Sequence, residues 1–360
     1  MIRLGRRKLQ RMGGPARKGR RVHAGWTRRR RARGASGLVL GLALWLGTPS
    51  HALAWSDHAV LTRLILRSAA WLDQWRDLEV SPWTYEKTDT GPYAPLYSPV
   101  YVDRLIGERT SAREVLLRYV EEPDWGMDDG LQVSPFQGLF GGSQSYRHRS
   151  SYFVQGALRF GRAPERCKAS YEMAAKAFEN RDPYWGFRYL ARALHYLQDL
   201  GEPYEVRPFL PVDVMLTQAN GARLGTMSTN LRIHYEALVA HHLHKQEDAG
   251  RGPWVDAIRD ATAATVMGPG EASRALADFT ADHAVPILEA CNRFWPRRAR
   301  SQKRIQAVRP RDLDPPELPP SWVTLEERTT LQLHVTAKIV RGLLEKARKE
   351  VAVVPAPVEE

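Results

Sequence analysis

Leu194-His195-Tyr196-Leu197-Gln198-Asp199-Leu200-Gly201-Glu202-Pro203-Tyr204-Glu205 is the stretch on which the reading of this chain turns. The residues leading into it, 183–200, repeat apolar side chains at the helical period, and Gly201 followed by Pro203 supplies a stop signal. His195 and Asp199 stand four positions apart, so a helix places both on one face. An imidazole and a carboxylate in that relation can ligate one metal ion. A core histidine near a surface acid is the commoner origin of such a pair, so the spacing needs support from the rest of the chain.

Helical periodicity extends to both sides. It predicts helices over 56–78, 111–119, 146–160, 164–180, 228–246, 253–266, 271–294 and 324–351. The second of these opens on Ser111 with Glu114 three residues on, the pattern of a capping box. Leu331, Val335, Ile339, Leu343 and Leu344 form the stripe of the last, which is expected to pack on the domain. A partner helix or a membrane surface is the alternative for that stripe. Residues 79–110 and 121–144 are rich in Pro, Gly, Tyr or Asp without a period and read as long ordered loops, which usually carry function. Alternating strand patterns are scarce, so the expected class is all-α. The organisation reads as a leader (1–54), a multi-helix domain (55–296), a basic and then Pro-rich linker (297–322), and an amphipathic helix with its tail (323–360).

The net charge of +13 suggests nucleic acid until its distribution is considered. Residues 1–54 hold 14 Lys/Arg and no acid, leaving 39 basic and 40 acidic residues in 55–360. A general electrostatic attraction to polyanions is therefore not a property of the expected folded part. The leader has a cationic block at Arg28–Arg33, the apolar run Gly37-Leu38-Val39-Leu40-Gly41-Leu42-Ala43-Leu44-Trp45-Leu46, and Ala52-Leu53-Ala54, a small-x-small cleavage pattern. The run is well short of the roughly 20 residues a membrane-spanning helix needs. It implies export, to the periplasm or outside the cell. Cys167 and Cys291 allow one disulfide or two buried thiols.

Cleavage after Ala54 makes Trp55 the new terminus, with His58 three residues on. A free α-amine and its neighbouring carbonyl can chelate a metal in a five-membered ring. Taken with the 195–205 motif, this resembles the zinc-dependent phospholipase C and P1/S1 nuclease superfamily. The similarity spans roughly Trp55 to Val239. Its other anchors are Pro123-Asp124, Tyr146-Arg147-His148 and Asn230-Leu231-Arg232 to Glu236.

The resemblance implies a multi-helix all-α fold around a cluster of two or three zinc ions that hydrolyses phosphodiesters. One ion would take Asp124, His148, His195 and Asp199. A second would take the Trp55 amine and carbonyl, His58 and Asp199, whose carboxylate is shared. Asp128 and Asp129 are rivals to Asp124. Paired zinc activates water near neutral pH for in-line attack at phosphorus, and Asp124 would orient or deprotonate that water.

The third zinc of the family corresponds to Glu205, Arg232 and Glu236, and here the pattern departs. A guanidinium keeps its proton and does not ligate zinc. Either Arg232 replaces the cation, serving the leaving oxygen or substrate phosphate and pairing with Glu205 or Glu236, or the site has decayed. His234, or His241, His242 and His244, are further metal candidates. The leading expectation is a phospholipase C-like enzyme acting on phospholipid or another phosphodiester, with contact to a membrane surface possible. The alternatives are a single-strand nuclease, with nucleic acid as substrate and bases stacked on aromatic side chains, and a non-catalytic envelope protein that binds phosphate-like groups.

Overall fold

The computed structural model describes residues 57–85, 104–135, 137, 142–153, 158–218, 220–295 and 300–351, all within one compact unit, Gly41–Glu360. The expected leader, its cleavage site and Trp55 lie outside the described residues.

Helix α1 (His58–Leu66) starts where Asp57 accepts the Val60 amide at 2.8 Å. The helix expected to run to residue 78 stops after its second turn. A 3-10 turn (Ala70–Gln74) follows, and β1 (Leu78–Glu79) pairs antiparallel with β2 (Arg109–Thr110). Ser111 caps α2 (Ala112–Tyr119), and both halves of the capping box expected there form. A 3-10 turn at Glu122–Asp124 opens the acidic loop.

Residues 146–160 do not form the expected helix. A short α3 (Ser143–His148) gives way to a hairpin of β3 (Ser151–Phe153) and β4 (Leu158–Phe160), with Ser151 opposite Phe160. Antiparallel pairing of 151–153 with 158–160 decides this segment, and a helical period along the chain does not report such a pairing.

The remaining elements are helical: α4 (Ala163–Glu179), α5 (Pro183–Asp199), α6 (Pro203–Val206), α7 (Pro211–Leu216), α8 (Gly221–Asp248), α9 (Pro253–Arg259), α10 (Pro269–Phe294), α11 (Pro310–Leu313) and α12 (Ser321–Val351). Helix α8 begins a turn and more before the sequence suggests, capped by Asn220, and α9 ends earlier, at Arg259.

Helix α5 is the axis of the domain. Every residue from Tyr184 to Asp199 is buried, which marks a helix enclosed on all sides. Its neighbours α2, α4, α10 and α12 supply the surrounding apolar wall. Close packing is visible at Gly186, where a Cβ would run into the ring of Phe178. One stripe of this buried helix is polar: Arg188, Arg192, His195 and Asp199 follow one another at spacings of four, three and four, on one side. A polar stripe in a core helix needs partners, and these partners define the site below.

Helix α12 is part of the core. Leu325, Leu333, Ala337, Val340, Leu343 and Leu344 are buried, while the predicted stripe members Leu331 and Val335 are only half-buried. Together α10 and α12 close the end of α5: Thr280 donates to the Leu200 carbonyl at 2.7 Å, and Gln332 donates to Thr280 at 2.7 Å. The described part of the expected linker is tethered as well. Asn230 donates to the carbonyls of Ser301 and Arg304 at 3.0 Å and accepts from the Gln306 amide at 2.7 Å. Cys167 and Cys291 are buried free thiols. Among the described residues no helix is long and apolar enough to cross a membrane.

Candidate metal centre

Four separate elements deliver one cluster. His58 is the first residue of α1, Asp124 ends the 3-10 turn, His148 ends α3, and His195 and Asp199 come from the last turns of α5. The three histidines and Asp199 have no solvent exposure, and the Asp124 side chain is 5% exposed. Asp199 sits in the middle. Its Oδ1 is 3.3 Å from His58 Nε2, and its Oδ2 is 3.0 Å from His148 Nδ1 and 3.5 Å from His195 Nε2. Asp124 lies at the edge, 3.8 Å from His148 Nδ1, 3.9 Å from His195 Nε2 and 4.0 Å from His58 Nε2.

Each imidazole is held by its other nitrogen. His58 Nδ1 donates to Gln198 Oε1 at 2.9 Å, and that amide is fixed by donating to Thr62 at 2.8 Å. His195 Nδ1 donates to the Val120 carbonyl at 2.7 Å. His148 Nε2 lies 3.3 Å from Asp128 Oδ2. Asp128 is itself held by Arg147 and by the Tyr196 hydroxyl, each at 2.5 Å. A donor bond on one ring nitrogen turns the lone pair of the other toward the centre, as in a histidine prepared for a metal. Two of these bare nitrogens, on His148 and His195, approach to 3.0 Å. Lone pairs at that separation, with a carboxylate oxygen beside them, require a cation between them, whether proton or metal ion. His58 Nε2 and both Asp199 oxygens are buried without a hydrogen-bond partner.

The electrostatics agree with this. Burial works against a charged His58, but the Asp199 carboxylate 3.3 Å away outweighs it and brings the imidazole up to about 9. His148 is raised for the same reason, against the same burial. Burial and the neighbouring imidazoles push His195 well down, so it stays neutral. Asp199, although buried, is held below the ordinary carboxylate range by the surrounding histidines. Burial pushes Asp124 up to about 7.

The turn that presents Asp124 is anchored by its neighbour. Glu122 is fully buried between two residues of the α5 stripe, with Arg188 Nη2 and Arg192 Nε each 2.5 Å from its oxygens. Gln144 also donates to Asp124 Oδ1, at 3.1 Å. Of the two rivals to Asp124, Asp128 faces the far side of the His148 ring and Asp129 is exposed.

A second buried group adjoins the first. Glu202, Glu205 and Glu236 bring carboxylate oxygens within 4.8 Å of one another. Arg232 donates through Nη1 to Glu205 and lies 3.6 Å from Glu236 through Nε. Arg149 Nε is 2.9 Å from the other Glu205 oxygen. Burial and the adjacent carboxylate of Glu205 move Glu202 up to about 8, and burial raises Glu236 as well.

The structure thus gathers His58, Asp124, His148, His195 and Asp199 at one point and Glu205, Arg232 and Glu236 at a neighbouring one. The other histidine candidates are engaged elsewhere. His234 donates to the Asn230 carbonyl at 2.7 Å, His241 pairs with Asp314 at 2.7 Å, and His244 pairs with Asp57 at 2.6 Å. His242 packs against the rings of Trp254 and Trp322. Among the described residues none of these joins a potential metal-binding group. Gln198, Glu122, Arg149 and Glu202 escaped the sequence reading. Glu202 and Gln198 lie inside the quoted motif, and only their burial reveals them. No family model and no curated protein matches the chain.

Proposed function

We propose that this chain is a metal-dependent phosphodiester hydrolase of phospholipase C type, exported and trimmed to begin at Trp55. The observation that carries the reading is the Asp199 carboxylate. Its two buried, unpartnered oxygens face His58 on one side and His148 with His195 on the other, the disposition of an acid shared between two cations. His148, His195, Asp124 and Asp199 would hold one ion. His58 and Asp199 would hold the other, joined by the Trp55 amine and carbonyl. Mixed imidazole and carboxylate donors suit zinc. Zinc, when bound, supplies the Lewis acidity that activates water and offsets charge on a phosphoryl group.

The chain's own groups have distinct parts. Gln198, Asp128 and the Val120 carbonyl fix the ring orientations, so the donor set is in place before any ligand arrives. Asp124 is the least enclosed acid of the cluster, and at about 7 it can hold or release a proton near neutrality at Oδ2. The apolar wall around α5 keeps bulk water from the histidines.

The test uses the processed chain with zinc and after chelation, against p-nitrophenyl phosphorylcholine and a single-stranded oligonucleotide. Release of p-nitrophenol that chelation abolishes is the expected result. Nucleotide release alone would move the reading to a nuclease. Turnover of neither substrate would contradict hydrolysis.

A further inference from the structure

The acid trio of Glu202, Glu205 and Glu236 is built differently from the histidine cluster. All three side chains are buried, and their oxygens converge closely enough to hold a cation. A cation already stands among them, and it belongs to the chain. Arg232, one turn before Glu236 on α8, is 1% exposed, donates to Glu205 and lies against Glu236. Its Nε and Nη2 are buried without hydrogen-bond partners, as are Glu202 Oε1 and Glu236 Oε1. Arg149 brings a second guanidinium to Glu205.

Two features make this occupant permanent. A guanidinium does not lose its proton inside a protein, so it cannot turn into a neutral group that yields to a metal. It is also tethered through its helix and cannot dissociate. Two guanidiniums already meet the trio, and burial works against the ionised forms of Glu202 and Glu236, so little uncompensated negative charge is left to draw a metal ion. A divalent ion entering the trio would meet two fixed positive charges and find Glu205 engaged on both oxygens. The histidine cluster has no such internal cation.

We propose that Arg232 is a built-in cation that fills the Glu202/Glu205/Glu236 pocket, so that metal uptake is confined to the histidine cluster and the acid trio opens to a divalent ion only when the guanidinium is removed. Arg232 keeps Nη2, which has no hydrogen-bond partner, for an anionic oxygen. It thereby offers the positive charge that an ion in the pocket would have supplied, without dependence on metal supply. The inference takes the histidine cluster from the proposed function, but the trio can be measured separately from it.

The experiment is zinc content by elemental mass spectrometry, after equilibration with zinc and removal of excess. Wild type, Arg232→His and Arg232→Lys are compared, each also carrying Asp199→Asn to silence the histidine cluster. Arg232→His should gain about one zinc ion per chain over its parent in both backgrounds, because an imidazole joins three acids that have lost their counter-charge. Arg232→Lys should gain none, since the ammonium keeps the pocket filled. Melting should follow: chelation should lower the melting temperature of Arg232→His more than that of wild type, and zinc should restore it. A folded Arg232→His with no added zinc would overturn the proposal. So would an Arg232→His that fails to fold with zinc present while Arg232→Lys folds, or a wild type that loses zinc on Glu236→Gln. If wild type itself binds no zinc, the histidine reading fails, while the gain in Arg232→His still reports on the trio alone.

Discussion

Asp199→Asn is expected to empty the histidine cluster of both ions together and to reduce phosphodiester hydrolysis by more than about 100-fold, the upper end of what losing a mere outer partner of a metal ligand does. The reason is geometric. The two oxygens of this one carboxylate face two different sets of nitrogens, at 3.3 Å and at 3.0 and 3.5 Å. An asparagine keeps the shape but offers one neutral oxygen, and its amide would donate into the lone pair of either His58 or His148. The substitution also removes the charge that raises His58 against its burial. Zinc analysis of the folded variant checks this. Loss of one ion with retention of the other would show that Asp199 is not shared.

Glu122→Gln is expected to destabilise the chain by about 3–5 kcal/mol, the range for removing one partner from a buried ion pair. Glu122 is the counter-charge held directly to both Arg188 and Arg192, and all three are nearly or fully buried. Neither guanidinium can discard its charge. Stacking of Arg188 over the Tyr119 ring, 3.9 Å from its centroid, offsets only part of the loss. Because Asp124 sits two residues on in the same 3-10 turn, the variant should also lose activity under conditions where it remains folded. Denaturant unfolding measures the first effect, and a change below about 1 kcal/mol would mean that the turn is held by other contacts.

The all-α class and most helices could be read from periodicity because α4, α5, α10 and α12 are long and strongly patterned. The departures fall on helix ends, such as the start of α8, and on short segments, where tertiary pairing decides between helix, turn and hairpin. Residues 146–160 and the end of α1 are the examples. Within the site, His195 and Asp199 were legible from their spacing on one helix. His58, Asp124 and His148 came into view only through the order of anchors along the chain. Gln198 resembles any polar helix residue until its bond to His58, 140 positions away, is seen. Glu122 likewise acquires meaning only from Arg188, 66 positions on. Such partners are set by the fold and leave no local pattern.

A pair of divalent ions, for which protons compete, is the expected occupant of the histidine cluster. This is tested most directly by titrating zinc calorimetrically into the metal-stripped, processed chain across pH. Protons on His58, up to about 9, on His148, which is raised as well, and on Asp124, up to about 7, must leave before an ion binds. Affinity should therefore rise with pH by about tenfold per unit for each proton released, and more steeply below about 7 than above. Saturable uptake of about two ions with measured proton release is the expected result. Uptake that is unsaturable, or independent of pH between 6 and 9, would contradict the account.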